Sequence, residues 1–344
     1  MSNTSRTLPL FTFSNWGISS SSNSLSGMRG SIRTIASAAS GGNSQVIHGL
    51  WPFSTVSQIE ATLRALAMLA EFVYCYLLRP WPLRQITNWT IRQLLPKELQ
   101  FGDATVVLNP HDPVVSGALR FGVYEKAETR FFETACRDGM TFLDVGANIG
   151  YYTALAARAV GPNGRVIAIE PDPDSYRYLE QTIAANAVGN VQSFEVAASD
   201  APATLPLHIS ADNRGDNRLY ASSEDRPQVE VEARPLDALL RENKINAVDL
   251  IKIDVQGYEP KVIAGLREII TASPTLTLLT EFWPQGIAEA GGDANDFLQT
   301  LRELGLTLHE LRPDGSLAEL TDDADLIARH QGRRYTNLVG RKTA

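Results

Sequence analysis

The stretch TFLDVGANIGYYT, residues 141–153, joins an apolar run to a glycine-flanked turn and then to a segment of helical pattern. Residues 141–145 read as a strand ending near Asp144, and Gly146 and Gly150 bracket the turn. Glycine permits backbone angles and close approaches that a side chain would block. The NH groups opening the helix can receive a polar or anionic group. Outward from this turn, apolar strands are expected at 165–170, 191–196, 248–254, 275–281, 306–311 and 335–339. Helices are expected at 150–160, 174–187, 235–243, 259–271 and 293–304, with another at 321–330. Apolar strands alternating with helices imply a mostly parallel sheet covered on both faces, an α/β doubly wound fold.

Two further segments extend the same crevice. AIEPDPDSYRYLEQ, residues 168–181, ends the second strand at Glu170, and Asp172 or Asp174 is placed to cap the next helix. A carboxylate at that point accepts hydrogen bonds from the vicinal hydroxyls of a ribose. AASD, residues 197–200, follows the third strand, where Ser199 and Asp200 face either an adenine edge or solvent. The turn lacks the second glycine of G-x-G-x-x-G, because Ala147 and Asn148 follow Gly146. This disfavours a pyrophosphate-bearing dinucleotide such as NAD. S-adenosylmethionine has no pyrophosphate and needs polar groups for its amino-acid end. Asp144 is a candidate anchor for its ammonium, directly or through water, and Asn148 for orienting the adjacent backbone.

The chemistry is expected one strand over. IKIDVQGYEPKVIAGL, residues 251–266, sets Asp254 at a strand end, Gly257 in a sharp turn and Glu259 at a helix start. Glu259 reads equally as a site carboxylate or as a complement to the helix dipole. Strand alternation sets Lys252 opposite to Ile251 and Ile253, suited to a supporting ion pair. LLTEFWPQG, residues 278–286, puts Glu281 at another strand end, followed by Phe282 and Trp283, which shape an acceptor pocket or cover the core. The polar stretch 207–225 offers Asn213, Arg214, Asn217 and Arg218, either on a substrate-side loop or on a solvent-facing hairpin.

Composition narrows the partners. The 344 residues carry 31 basic and 39 acidic side chains, a net charge of -8, and lack a basic block. General nucleic-acid binding is therefore not expected. Cys75 and Cys136 form no C-x-x-C pair, and the five histidines show no H-E-x-x-H pattern, so reduced thiols, a cytoplasmic location and no metal are expected. Residues 1–50 are Ser/Gly-rich and read as flexible or loosely packed, without the pattern of a secretory signal. Residues 51–120 read as a helical extension and bridge, with a helix over 56–79 stopped by Pro80 and a short strand at 104–108. That helix is too short and too charged for a convincing membrane span. It suits packing in the domain or a homodimer contact better than peripheral membrane contact. Residues 121–344 are expected to form the catalytic domain, opening on a helix-rich segment at 121–136.

From FGVYE at 121–125 to NLVG at 337–340, the chain resembles the FkbM family of methyltransferases. The resemblance rests on TFLDVGANIGYYT, IAIEPDP (167–173), AASD, RPLDALL (234–240), IKIDVQGYE (251–259) and the strand ending at Glu281, in that order and spacing. It implies a class I fold, with the last strand inserted antiparallel. It also implies methyl transfer from S-adenosylmethionine to a hydroxyl of a sugar, glycan or natural product. It matches Asp144 and the Gly146–Gly150 turn, including Ala147 and Asn148, to the methionine end, and Glu170 to the ribose. Ser199 and Asp200 match the adenosine side, Asp254 the reaction centre and Asn213–Arg218 a substrate loop. Asp254 is the first candidate for a catalytic carboxylate, with Glu281 and Glu259 behind it. One departure stands out: Gln256 occupies a position where the family commonly carries glutamate. It keeps open a non-catalytic scaffold on the same fold, while an NAD-dependent oxidoreductase is disfavoured by the turn.

Overall fold

The computed structural model describes Trp89, Arg92, Gln93 and residues 95–343 apart from 212, 222 and 223. The 56–79 helix, its homodimer or membrane role, the 1–50 segment and Cys75 lie outside the described residues. In chain order the elements begin with β1 (Glu98–Phe101), β2 (Ala104–Val107), α1 (Pro113–Arg120), α2 (Lys126–Ala135), β3 (Thr141–Val145) and α3 (Tyr151–Ala159). Next come β4 (Arg165–Ile169), α4 (Pro173–Asn186), β5 (Val191–Phe194), β6 (Ala197–Ala198), β7 (Ala203–His208), β8 (Gln228–Arg234) and α5 (Leu236–Glu242). The chain continues with β9 (Leu250–Ile253), α6 (Glu259–Ala264), α7 (Arg267–Ala272), β10 (Leu276–Phe282) and α8 (Pro284–Glu289). It closes with α9 (Ala294–Glu303), β11 (Thr307–Leu311), β12 (Leu317–Glu319), α10 (Asp323–Arg329) and β13 (Thr336–Lys342).

The main sheet has eight strands in the order β12-β11-β13-β10-β9-β3-β4-β5. The five strands from β10 to β5 are mutually parallel, and β13 inserts antiparallel between β10 and β11. The central strands read as unbroken apolar runs because both faces are covered. Leu143, Ile167, Ile251 and Leu278 are buried in one cluster, and Phe142, Val166 and Leu250 in another with Tyr152 and Phe132. Such sandwiching supplies the main driving force, at roughly 25 cal/mol per Å² of apolar surface removed from water. From β3 the chain winds out through β4 to β5, then returns to lay β9 on the opposite side of β3. The gap between β3 and β9 is therefore the topological switch point, where the crevice of an open α/β sheet forms.

Three local features differ from expectation. The segment after β5 leaves the main sheet, and β6, β8 and β7 form a separate three-stranded sheet. The helix expected over 259–271 breaks into α6 and α7. Gly265 accepts a hydrogen bond from the Asp237 NH, and the Asp237 carboxylate caps the NH groups of Glu268 and Ile269. A Cβ at Gly265 would lie 2.0 Å from the Ser199 carbonyl oxygen, so the break accommodates a close backbone crossing. Finally, Asp112 and Pro113 open an unanticipated helix, with the Asp112 carboxylate accepting from the Val114 and Val115 NH groups.

The β1–β2 hairpin is tied to α4 by side chains. Asn186 accepts from the Thr105 NH at 2.9 Å and donates to the Thr105 carbonyl at 2.7 Å, and Thr182 accepts from the Val107 NH at 3.0 Å. Asn186 is 2% exposed, so its loss strands buried backbone groups. Asn186→Ala should lower stability by about 1–3 kcal/mol in urea unfolding. An unchanged midpoint would show that the hairpin does not rely on this tether.

Candidate functional site

Four adjacent strands of the main sheet end level with one another. The Gly146 NH donates to the Ile169 carbonyl at 3.0 Å, and the Asp254 NH donates to the Val145 carbonyl at 3.0 Å. Ile253 pairs with Thr280 across β9 and β10. Glu170, Gly146, Asp254 and Glu281 thus form a row across the carboxyl ends of β4, β3, β9 and β10. With strands about 4.8 Å apart, that row spans roughly 15 Å. All four line a cavity of about 390 Å³, together with Asn148, Glu125 and the 213–217 loop.

The turn after β3 is held from both sides. A Cβ on Gly146 would lie 2.1 Å from the Asp254 carbonyl oxygen, and φ there is 82°, so glycine is required twice over. Asn148 sits at φ 51°, with its side-chain oxygen accepting from the Ile149 NH at 2.8 Å. Asp144 lies beneath the turn, 1% exposed, and accepts from the Thr153 hydroxyl at 2.7 Å. It does not line the cavity, so its carboxylate braces the turn. Ala147 is likewise buried, against Ala168 and Leu179. Gly150 packs under α4, where a Cβ would meet Leu179 at 2.8 Å.

Glu170 is 6% exposed and accepts from the Asn148 NH at 2.7 Å and the Asp172 NH at 2.9 Å. Each oxygen keeps a second acceptor position. Burial, with the neighbouring Asp172 charge, pushes its carboxyl up to about 8, against the pull of those two backbone bonds. Asp172 in turn binds the Arg214 guanidinium at 3.1 Å and the Asn217 amide at 3.1 Å, and the Arg214 NH donates to Asp112. These bonds fold the 213–217 loop over the Glu170 end of the cavity, which Asn213, Arg214 and Asn217 line. Arg218 instead turns away from the cavity, stacking over Trp283 at 4.8 Å and pairing with Asp216 at 2.8 Å. Phe282 packs into the core and Trp283 is buried beside it, and neither lines the cavity.

At the opposite end, Asp254 accepts from Lys252 Nζ at 3.0 Å on one oxygen and from the Gln256 side-chain amide at 2.9 Å on the other. Lys252 is 5% exposed, and its ammonium lies 3.9 Å from Glu125 and over the Tyr152 ring. Despite burial, the surrounding Asp254, Glu125 and Asp144 hold it firmly protonated. Glu125 opens α2 in a left-handed conformation, φ 34°, and burial pushes its carboxyl up to about 7. Glu281 is 7% exposed, and its Oε2 has no hydrogen-bond partner. Burial, followed by the Asp254 and Glu259 charges, raises its carboxyl well above the usual range. Three non-glycine residues with positive φ, Glu125, Asn148 and Gln256, all line this one cavity. Such strain concentrates at functional sites.

Besides Asp144, Ala147 and Gly150, three more of the expected site residues fall outside the cavity. Glu259 is fully buried, and its Oε1 accepts from the Val255 and Gly257 NH groups at 3.1 and 3.2 Å. It shapes the 255–257 turn from behind and does not reach the cavity. Ser199 and Asp200 also miss the cavity, because β6 carries them into the second sheet. The Ser199 hydroxyl meets Asp200 and Tyr258, and Asp200 binds Lys261 at 2.8 Å. The cavity gains Tyr124, Glu125, Glu128, Tyr335 and Asn337, which the sequence reading did not single out. FGVYE carried the signal for two of them, since Tyr124 and Glu125 sit where the chain enters α2.

The chain is similar to known methyltransferases. Residues 144–308 match the family model described as the methyltransferase FkbM domain. Methyltransferase sdnD of Sordaria araneosa is 27% identical over 203 residues, covering 47% of this chain and 78% of that protein. The 2-O-methyltransferase NoeI of Sinorhizobium fredii is 29% identical over 163 residues, covering 43% of this chain and 65% of that protein, just under two thirds of its length. Among solved structures, a SAM-dependent O-methyltransferase from Thermotoga maritima aligns with 73% of this chain and 87% of its own, at 13% identity and a TM-score of 0.37. The chain thus carries, at residues 144–308, a match to the methyltransferase FkbM domain, and it is similar to known methyltransferases.

Proposed function

We propose that this protein transfers a methyl group from S-adenosylmethionine to a hydroxyl oxygen of a small-molecule or glycan acceptor. The observation that carries the reading is the row of Glu170, Gly146, Asp254 and Glu281 across the switch point. The match to the FkbM domain supports methyl transfer, and the similarity to the 2-O-methyltransferase NoeI favours oxygen as the target. The donor set fits the cofactor. Glu170 offers free acceptor positions to the two ribose hydroxyls, and the turn from Gly146 to Asn148 presents backbone to the amino-acid end. The Asp172–Arg214 pair closes the loop above them.

When bound, S-adenosylmethionine supplies an electrophilic methyl group on a positively charged sulfur. The chain's own work is alignment and proton management. Asp254, fixed by Lys252 and Gln256, orients the acceptor hydroxyl. Glu281 Oε2, the unpartnered oxygen beside it, receives the hydroxyl proton. Fixing reactants in a near-attack arrangement can itself account for much of the acceleration. Gln256 strengthens this reading over the scaffold alternative. Its amide donates to Asp254, a bond that an ionised glutamate at the same place could not make.

Titration calorimetry should show binding of S-adenosylmethionine and none of NAD. Glu170→Ala should weaken that binding about 10–100-fold, the value of one or two hydrogen bonds to a carboxylate. Failure of the folded protein to bind, or equal affinity for NAD, would overturn the assignment. Gly146→Ala should cost about 1–3 kcal/mol of stability and abolish cofactor binding, because the new methyl group displaces the Asp254 loop. Retained affinity in that variant would contradict the close approach described above.

A further inference from the structure

The acceptor end of the cavity holds more negative groups than it can neutralise. Glu125, Glu128, Asp254 and Glu281 all line it, and Lys252 is the cation set among them. That ammonium is spent on Asp254 at 3.0 Å and reaches Glu125 only at 3.9 Å. Asn337, paired with Glu281 across β10 and β13, turns its amide to Glu128. Glu281 is left 7% exposed with an orphaned Oε2, in contact with the cavity. A buried, unpartnered carboxyl is stable only as the neutral acid or beside a positive charge.

Charged groups bear on Glu281 from the elements around it. From the β9 side come Asp254 and Lys252, from α6 Glu259, and from α2 Glu125. On the β13 side, Tyr335 lines the cavity with Glu125, Glu128, Asp254 and Glu281 and adds no positive charge. Lys252 is the one cation among these named groups; Glu125 Oε2 also lacks a hydrogen-bond partner but has that ammonium at 3.9 Å, whereas Glu281 has no ion pair, so the deficit of positive charge falls on Glu281.

Building on the proposed use of S-adenosylmethionine, we propose that Glu281 senses the charge at the cofactor's sulfur. Glu281 is a neutral acid in the free protein, loses its proton to solvent when the sulfonium enters, and becomes the base for the acceptor hydroxyl. The protons balance. Binding releases one proton from Glu281 to bulk water. During transfer the acceptor O–H bond breaks, its proton goes to Glu281 Oε2, and its electron pair forms the new bond to the methyl carbon. The carbon–sulfur pair stays on sulfur as a neutral thioether. Glu281 is again a neutral acid, no charge remains at sulfur to hold the product, and one net proton has been released per methyl transferred. Affinity for the sulfonium form should therefore rise with pH, because ionising Glu281 opposes binding below the free-protein titration and no longer does so above it.

The test needs no acceptor. Calorimetry of the full chain in buffers of different ionisation enthalpy counts protons released on binding. The ligands are S-adenosylmethionine, S-adenosylhomocysteine and sinefungin, which carries an ammonium in place of the sulfonium. Their amino-acid and nucleoside ends are alike, so differences report the charge at the sulfur position. Near pH 7, S-adenosylmethionine and sinefungin should each release about one proton more than S-adenosylhomocysteine. Both should gain about a hundredfold in relative affinity between about pH 6 and about pH 8, about tenfold per pH unit for each proton released. Glu281→Gln should abolish the difference in proton release between the charged and the neutral ligands. Equal proton release for all three ligands by the wild-type chain would overturn the proposal and leave the cofactor assignment standing. Binding of none of them would remove the assignment on which it rests. Because the wild-type comparison with sinefungin decides alone, the outcome does not depend on the variant folding.

Discussion

Gly146 and the carbonyl of Asp254 meet with no room for a side chain between them. That contact, bridging the loops after β3 and β9, closes the floor of the switch point and sets the level of everything arrayed along it. Glu170 reaches one side of the turn through the Asn148 NH, and Asp254 is held on the other through the Val145 carbonyl. A sheet has only one such point, because only there do the connecting helices leave in opposite directions. A substitution at Gly146 therefore acts on both halves of the cavity at once.

Charge organises the remainder. The Asp172–Arg214 pair joins the loop at one end, and Lys252 is buried among carboxylates at the other. Breaking a buried pair costs far more than an exposed one, since the surviving charge is left without water. The two ends differ in kind. Arg214 and Asp172 neutralise each other at the loop end. The Glu281 end retains surplus acid, so it is poised for a positive charge.

The central strands were legible because burial on both faces leaves an uninterrupted apolar run, as in LIKI at 250–253. Strand-end residues then follow from alternation and chain direction, which is why Glu170, Asp254 and Glu281 could be placed before any coordinates. Ser199 and Asp200 could not. Their role depends on whether the chain after Phe194 continues along the main sheet or pairs with β8, and that is decided by residues thirty or more positions away. The break at Gly265 is likewise a tertiary effect, since its cause is the Ser199 carbonyl and the Asp237 cap. Glu259 reads as a site carboxylate from its neighbours in sequence, yet its side chain folds back onto the NH groups of its own loop. Tyr335 and Asn337 come to the site only because β13 inserts beside β10, a topology that no local pattern encodes.

The central claim is that one cavity spans the switch point, with the cofactor's ribose at Glu170 and its sulfur directed toward Glu281. A crystal structure of the protein with S-adenosylhomocysteine tests it most directly. The account predicts ribose hydroxyls within hydrogen-bond distance of the Glu170 carboxylate, the amino-acid end along the Gly146–Asn148 turn, and the sulfur on the Asp254 and Glu281 side. A ligand lodged against Ser199 and Asp200 with Glu170 untouched, or a sulfur facing away from Glu281, would contradict it.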